Sequence, residues 1–320
     1  MTGRRTRPIL AIHASVVVAL GAAQFVVPPF HHSLLARIMV LAAYAVGYNI
    51  LLGYAGLMSL GHAMFFAAGM YGAGLPLLYL GAGAAQALLL GVGASVALAA
   101  ASGVLALRTS GVSFLILTWM FAQAFYLSVL YFNPITLGDQ GFVLSGHLPP
   151  VSLGAVHLTL TDPVVRYNLA LLTFALCLGL SLWLARSPIG RVLIAIRENE
   201  ERTRMLGYNT FAYKLLALVL SAAVAGASGC VYAIITAYVG ASFATILYSI
   251  YPLLWTLLGG SGTVLGPFVG AALMTYVVET ASDVTSGYLI VVGITLAVLA
   301  TRFPTGILGA VRRRWVPWLP

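Results

Sequence analysis

Long apolar runs, separated by short polar or charged stretches, dominate the pattern of this chain. A helix that crosses the hydrocarbon core of a membrane needs about 20 mostly apolar residues. Ten runs come close to that length between charges and helix breakers, and each one predicts a transmembrane helix. They cover residues 9–27, 36–55, 59–80, 84–107, 111–132, 164–185, 213–239, 243–258, 264–281 and 286–301.

Two pairs of these runs are separated by only a few residues. The second run nearly meets the third, and the eighth nearly meets the ninth. Interrupted helices are tolerated at membrane depth where their backbone is buried in protein or lines a cavity. We therefore predict one all-α polytopic membrane domain over residues 1–320, with about ten transmembrane helices, some of them broken or re-entrant.

The composition supports a membrane protein. Of the 320 residues, 7% are charged and 61% are hydrophobic, whereas soluble domains carry about 25% charged residues. These values exclude a soluble enzyme, a disordered chain and a secreted disulfide-rich domain. Cys177 and Cys230 both lie inside apolar runs and imply no disulfide framework.

The net charge of +9 indicates membrane sidedness rather than binding to nucleic acid. Cytoplasmic connections of membrane proteins are enriched in Lys and Arg. With the N-terminus in the cytoplasm, only Arg37 and Arg166 fall outside, which leaves 14 of the 16 basic residues inside. Both termini are then cytoplasmic. Spans one to five and six to ten have opposite orientations, which permits an inverted repeat of 5+5 spans.

The first run follows Arg4, Arg5 and Arg7, so a secretory signal peptide is an alternative there. The run is long for the core of a signal peptide. It also ends at Pro28 and Pro29 rather than at a cleavage site of small residues. We predict an uncleaved first span.

Two connections are long enough to carry a function of their own. Residues 133–163 are rich in Pro, Gly and polar residues and are predicted to lie outside. Loops of this length are either functional or disordered. An external cap that meets a substrate-delivering partner and a floppy connector both remain open.

The second connection, residues 186–212, is predicted to lie in the cytoplasm and holds three of the seven acidic residues. Ser187 and Pro188 form a helix start, and Gly207 is a natural helix stop. An amphipathic helix could rest on lipid headgroups. The glutamates would be repelled by anionic lipid, however, so the mixed charge favours a protein partner.

Chemistry within the chain is sparse. Lys214 is the only lysine and no phosphate-binding loop accompanies it. No metal-ligand cluster and no catalytic triad can be assembled, so we expect a non-catalytic chain with no cofactor of its own. Glu279, Asp283, His13 and His62 are the ionisable candidates for ion coupling. None of the acidic residues lies clearly at the middle of a span, so they are too few for a proton relay. This points to an energy source outside the chain.

Polar and aromatic residues within the spans are candidates for lining a substrate pathway. Each one alone is more often an interhelical hydrogen-bonding group than a ligand. The candidates are Tyr44, Tyr48, Asn49, Ser59, His62, Thr118, Trp119 and Gln123.

Several segments, in order along the chain, resemble the permeases of branched-chain amino acid ABC transporters, of the LivM type. The first is GYNILLGYAGLMSLGHAMFFAAGMY at residues 47–71. SPIGRVLIAIRENE at 187–200, with LG at 206–207 and YKL at 213–215, resembles the cytoplasmic loop of the family. LGGSGTVLGP at 258–267 and FPTGI at 303–307 resemble its late glycine segment and its C-terminal end.

The resemblance implies the permease subunit of an ATP-driven importer in the bacterial inner membrane. Its implied partners are a LivH-like permease subunit, two cytoplasmic ATPases that bind ATP and Mg²⁺, and a periplasmic binding protein. The cytoplasmic loop would dock on an ATPase as a coupling helix. The residues that the resemblance assigns to this docking are Arg191, Arg197, Glu198, Asn199, Glu200, Glu201 and Gly207.

One segment departs from the family pattern, and the substrate stays open. Relatives often carry Thr-Gly-Gly-x-x-Gly after the fifth span, where this chain has TLGDQG at 136–141. The family also serves urea, short amides, other apolar amino acids and aromatic carboxylates. An ion-coupled secondary transporter and a passive channel are rival hypotheses from other classes.

Overall fold

The computed structural model describes residues 6–148, 150–153, 156–285 and 287–315. Arg4 and Arg5, which contribute to the predicted sidedness, lie outside the described residues, as does Pro149 of the external connection. The described residues form fourteen α-helices. They are α1 (Thr6–Ala23), α2 (Pro29–Asn49), α3 (His62–Tyr79), α4 (Ala84–Ala106), α5 (Gly111–Tyr131), α6 (Asn133–Thr136), α7 (Pro163–Arg186), α8 (Pro188–Glu198), α9 (Glu200–Met205), α10 (Thr210–Thr236), α11 (Ile246–Gly259), α12 (Gly266–Val284), α13 (Tyr288–Arg302) and α14 (Ile307–Arg314).

Strands are short and few in the described part of the chain. They are β1 (Phe142–Val143), β2 (Val151–Leu153), β3 (Val156–Leu158) and β4 (Tyr238–Val239). β1 pairs with β4 and β2 pairs with β3, both antiparallel. With 79% of the structure helical, the predicted all-α class is confirmed.

Each predicted span contains a helix. Among the described residues, five helical segments are long and apolar enough to cross a membrane, namely 31–54, 84–106, 111–131, 163–186 and 210–236. Residues 8–23, 246–259 and 289–299 form shorter apolar helices. The polytopic membrane fold is confirmed, while the number of ten crossings stays a prediction.

The chain breaks at the C-terminal end of the second predicted span. α2 passes into a π-helical turn at Ile50–Tyr54, and an irregular segment follows before α3 begins at His62. The helix of the third span therefore begins three residues after the approximate predicted bound at Ser59. Ser59 belongs to the irregular segment, where Gly56 has a φ of +71° and the chain turns before it can re-enter a helix.

The eighth predicted span is a half-length helix. α11 has 14 residues, which at 1.5 Å per residue gives about 21 Å and falls short of a hydrocarbon core of about 30 Å. Its N-terminal side follows a 3₁₀ helix at Ala241–Ala244. Its C-terminal side ends at Gly260, where φ is +121°.

The two halves of the chain pack reciprocally around α2 and α10. α10 packs on α3 and α4, whereas α2 packs on α11 and α12, and the two central helices contact each other. The inverted 5+5 repeat stays a prediction. α2 is buried on every face over most of its length, as expected for a helix that is apolar all round.

Small residues set the spacing of the central helices. A Cβ atom added to Gly69 of α3 would lie 2.2 Å from the carbonyl oxygen of Gly226 in α10. No side chain fits there, so the two backbones touch.

The first part of the external connection is anchored to the membrane domain. β1 pairs Phe142 with Val239, and the Tyr238 hydroxyl donates to the carbonyl oxygen of Gln140 at 3.0 Å. Phe142 and Leu144 are buried. The floppy alternative does not apply to this part of the loop, because its backbone and its apolar side chains are both held.

Leu137 occupies a left-handed backbone conformation, with φ of +57° and ψ of +18°. A non-glycine residue in this region costs roughly 1–2 kcal/mol. The turn nevertheless forms, because the Leu137 amide donates to Asn133 and the Gly138 amide donates to the Thr136 hydroxyl, at 2.9 and 3.2 Å. The departure from the family pattern therefore stores local strain.

Leu137→Gly is expected to raise the free energy of unfolding by about 0.5–1 kcal/mol, because relief of the left-handed strain exceeds the added chain entropy of glycine. Thermal unfolding in detergent measures the effect. Leu80→Gly is the matched control, since Leu80 is exposed and has an ordinary φ of −107°, so only the entropic loss should appear there. A lower melting temperature for Leu137→Gly would contradict the strain assignment.

Candidate functional site

The break after α2 brings together six of the eight predicted pathway residues. Tyr44, Tyr48 and Asn49 come from α2, and Ser59 lies in the irregular segment. His62 begins α3, and Thr118 approaches from α5. All six are buried. We call this group the break cluster; it comprises Tyr44, Tyr48, Asn49, Ser59, His62 and Thr118.

Trp119 and Gln123 do not join the break cluster. α5 buries only a narrow stripe, made of Phe114, Thr118, Ala122 and Val129. Trp119 is 41% exposed, and Gln123 is exposed on the same outward side of the helix. Helical spacing from Thr118 decides this, because neighbours one residue away point elsewhere.

Two tyrosine hydroxyls hold backbone groups near the break. The Tyr48 hydroxyl donates to the carbonyl oxygen of Ser59 at 2.8 Å, and the Ser59 amide lies 3.3 Å from the same hydroxyl. The Tyr44 hydroxyl donates to the carbonyl oxygen of Tyr248 in α11 at 2.8 Å. Both side chains therefore position irregular or half-length segments.

His62 is held in one tautomer by its neighbours. Its Nε2 lies 2.7 Å from the Ser221 hydroxyl of α10, and that hydroxyl lies 2.5 Å from the carbonyl oxygen of Gly47. Because the hydroxyl hydrogen of Ser221 is donated to Gly47, Nε2 must carry the proton that it donates to Ser221. Nδ1 is then an acceptor, and it has no hydrogen-bond partner among the described residues.

Asn49 clamps the late glycine segment. Its Nδ2 donates to the carbonyl oxygen of Thr263 at 2.9 Å, and its Oδ1 accepts from the Gly262 amide at 2.9 Å. A Cβ atom on Gly53 would lie 2.1 Å from this Oδ1. The side-chain amide thus joins α2 to the turn between α11 and α12 through both its nitrogen and its oxygen.

Two further backbone amides at the break are satisfied by side chains. The Leu60 amide donates to Thr118 Oγ1 at 3.2 Å, and the Ala63 amide donates to the Ser249 hydroxyl of α11 at 2.9 Å. Sequence reasoning missed Ser221 and Ser249. Ser249 is the single serine of α11 and Ser221 is one of two serines in α10; their spacing alone gives no sign of a partner in another helix.

The connection at residues 186–212, which the sequence predicts to be cytoplasmic, folds into two short helices with defined starts. Ser187 caps α8 by accepting from the Gly190 amide at 3.0 Å, and Asn199 caps α9 by accepting from the Arg202 amide at 2.8 Å. α8 buries Val192, Leu193 and Ile196 against the membrane domain. The start at Ser187 and Pro188 agrees with the predicted one.

Arg197 connects this segment to the break after α2. Its guanidinium donates to the carbonyl oxygen of Gly53, in the π-helical turn. The other predicted coupling residues are turned outward or lie at the edge of the segment. Exposed ones are Arg191, Glu198, Asn199, Glu201 and Gly207, and Glu200 is partly buried.

Glu200 forms an ion pair with Lys214 at the start of α10. Burial acts to raise the pKa of Glu200. Hydrogen bonds from Lys214 and Thr210, together with the charges of Lys214 and Arg204, outweigh burial and hold this pKa below its ordinary value. Glu200 therefore ties α9 to α10.

Two large apolar side chains project from the end of α9. Met205 is 85% exposed and Leu206 is 71% exposed. Exposed charges of Glu201, Arg202 and Arg204 surround them. We call Met205 and Leu206 the apolar tip. Exposed apolar side chains within a charged rim mark a contact surface. The sequence pattern alone did not identify them. Apolar residues at the end of an amphipathic segment are expected to pack against the protein, as Val192 and Ile196 do, so nothing in the pattern indicates that Met205 and Leu206 are exposed.

These features define a multi-pass membrane protein in which buried polar side chains support broken helices, as in transport proteins. No group of metal-binding side chains occurs among the described residues. The family model described as "Branched-chain amino acid transport system / permease component" matches residues 31–300. The chain belongs to this family of transport permeases.

Curated relatives agree with the family. The chain is 27% identical over 331 aligned positions to the high-affinity branched-chain amino acid transport system permease protein LivM of Salmonella typhimurium, with 97% of this chain and 77% of that protein covered. It is 28% identical over 300 positions to LivM of Escherichia coli, with 86% and 69% covered. No solved structure matches the chain.

Asn49→Ala should lower the free energy of unfolding by about 2–4 kcal/mol, because two buried backbone groups of the late glycine segment lose their partners. Denaturation in detergent, followed by circular dichroism, measures the change. Gln123→Ala removes a polar side chain from an exposed face and should stay within about 0.5 kcal/mol. Equal stabilities of the Asn49 variant and the parent would refute the clamp.

The ion pair of Glu200 should make the free energy of unfolding fall at acidic pH. The folded pKa lies below the unfolded value of 4.5, so the pair stabilises the fold above that value, and the stabilisation is lost as the pH falls through the folded pKa. Glu200→Gln should therefore be less stable than the parent at neutral pH, and the difference should shrink below about pH 4. Chemical unfolding across pH tests this. Glu201→Gln, at an exposed neighbour, should give no such convergence.

Proposed function

We propose that this chain is the membrane-spanning permease subunit of an ATP-driven ABC importer for branched-chain or other apolar amino acids. Membership of the permease family and the names of its relatives support the transported class. The proposed partners are a LivH-like permease subunit, two cytoplasmic ATPases and a periplasmic binding protein. ATP and Mg²⁺ would bind to the ATPases, so this chain would not be an enzyme.

The observation that carries the proposal is the apolar tip on the α8–α9 segment. Met205 and Leu206 expose large apolar surface beside mixed charges, which suits a groove in a protein partner better than anionic lipid headgroups. An ATPase that closes on ATP would push on this tip.

A chain of contacts is available to carry that push into the membrane. Arg197 binds the Gly53 carbonyl, and Asn49, one helical turn before Gly53, binds Gly262 and Thr263. Movement of α8 would therefore act on the break after α2 and on the turn between α11 and α12 together. We infer alternating access in which these discontinuous helices tilt.

The sidedness that this mechanism needs is the one that the basic residues predict. Both termini and the α8–α9 segment would face the cytoplasm, in the inner membrane of a bacterium. The external segment would face the periplasm, where the part anchored through β1 and β4 offers a held surface to the binding protein.

The alternative within the same architecture is import of urea, short amides or aromatic carboxylates, since the binding protein would select the substrate. An ion-coupled secondary transporter is the weaker alternative. Among the described residues Glu279 is already paired with Arg37, and an apolar tip in the cytoplasm has no role in a transporter that acts alone.

Leu206→Ser should reduce co-purification of the ATPases with the chain by about tenfold, because a buried leucine contributes roughly 1.5–3 kcal/mol to an interface. The measurement is the amount of ATPase retained on the tagged chain after washing in detergent. Leu80→Ser is the matched control. Leu80 is 77% exposed at the end of α3, on the predicted external side.

Unchanged retention of the ATPases by the Leu206 variant would show that the apolar tip is not part of the interface. Transport by vesicles that contain this chain alone, driven by an ion gradient without ATP, would overturn the importer itself.

A further inference from the structure

A cavity of about 200 Å³ lies between α2, α10, α11, α12 and α13. It is smaller than the pockets of about 300–1,000 Å³ that hold drug-sized ligands, so it suits a ligand the size of an amino acid. One wall carries two opposite charges, Arg37 of α2 and Glu279 of α12. Their Nη1 and Oε1 atoms lie 3.5 Å apart.

The position of this pair is costly. Arg37 lies eight residues after the start of α2 and Glu279 five residues before the end of α12, which places them about 12 Å and 8 Å along helices that are predicted to span the membrane. Ionisable groups at such depth usually serve a function. The pair is also loose, because both side chains remain partly exposed, at 41% and 30%.

Two polar atoms at the cavity have no partner among the described residues. They are Nε of Arg37 and Oγ1 of Thr275. Thr275 is 8% exposed and lies one helical turn before Glu279 on the cavity wall. An orphaned hydroxyl in a buried wall costs free energy unless something occupies the cavity and bonds to it.

The rest of the wall is apolar and aromatic. Tyr251 and Trp255 stack with their ring centroids 5.7 Å apart, and Met274 is a flexible filler beside them. Tyr248 also lines the cavity, and its backbone carbonyl accepts from Tyr44 of the break cluster. The cavity therefore adjoins the broken helices that are proposed to move.

We propose that this cavity is a transient binding site for a zwitterionic amino acid with an apolar side chain. The ligand carboxylate binds the Arg37 guanidinium and the Thr275 hydroxyl, and the ligand ammonium binds Glu279. Arg37 then exchanges the carboxylate of Glu279 for that of the ligand, and Glu279 exchanges the guanidinium of Arg37 for the ligand ammonium. No charge is left unpaired. The aliphatic side chain lies against Trp255 and Met274. This inference rests on the proposed function, whose substrate class it specifies.

The competing explanation is a structural ion pair that only staples α2 to α12. A staple and a ligand site respond differently to ligands that carry one of the two charged groups. The probes are L-leucine, leucinamide, which lacks the carboxylate, and 4-methylpentanoate, which lacks the ammonium group. Their binding is measured by saturation-transfer NMR on the full chain in lipid nanodiscs.

The parent chain should bind leucine most tightly and bind leucinamide and 4-methylpentanoate more weakly, because each of these two probes leaves one protein charge without a ligand partner. Arg37→Gln should weaken leucine and 4-methylpentanoate by about 10–100-fold and leave leucinamide, because one charge-assisted contact is lost. Glu279→Gln should weaken leucine and leucinamide and leave 4-methylpentanoate. Asp283→Asn is the matched control, since it removes a carboxylate one turn further along α12, outside the cavity lining, and should bind like the parent.

Thr275→Val keeps the shape of the side chain and leaves the ion pair intact. It therefore tests the site even if the variants of Arg37 and Glu279 fail to fold. It should weaken leucine and 4-methylpentanoate by about fivefold, the value of one hydrogen bond, while leucinamide is unaffected. Failure of the parent to bind leucine, or equal losses of all three probes in each variant, would overturn the proposal. ATP-driven leucine uptake by the complete assembly is measured in parallel. Uptake without binding by the parent rejects this site alone, whereas absence of uptake rejects the proposed function.

Discussion

The break after α2 is the constraint on which the rest of the structure depends. An interrupted helix leaves amides and carbonyls without partners, and a membrane interior offers no water to bind them. This protein supplies side chains instead. Free amides at the break are bound by the hydroxyl groups of Tyr48, Thr118 and Ser249. The free carbonyl of Gly53 accepts a hydrogen bond from Arg197. Side chains of α2, α5, α8 and α11 are thereby tied to the break and to the start of α3.

That requirement explains why the central helices pack so closely. Side chains as short as serine reach a neighbouring backbone only when the helices nearly touch. The contact of Gly69 with Gly226 permits this spacing between α3 and α10. Asn49 similarly binds the Gly262 turn directly. The glycine content of the chain and its buried hydrogen bonds are therefore two aspects of one packing solution.

Sequence reasoning identified the apolar runs, the break between the second and third runs, the short eighth span, and the amphipathic segment at residues 186–212. It succeeded because each is a local property of length, charge or turn chemistry. It grouped Trp119 and Gln123 with the pathway candidates, although their helix presents only the stripe through Thr118 to the protein. It missed Ser221, Ser249 and the apolar tip. In a helix that is apolar all round, a lone polar residue carries no information about which neighbour it faces.

The amino-acid sequence by itself determined that this chain lies in a membrane, which segments form helices, where the second and third of them are separated by a break, and the family to which its motifs are similar. Hydrophobic length and helix-breaking chemistry act over a few residues, so they can be read along the chain. Only the tertiary structure decided that Asn49 faces Gly262, that Arg197 turns back to Gly53, and that Arg37 meets Glu279 across 242 positions. Those pairings depend on how the two halves of the chain cross, which no local pattern encodes.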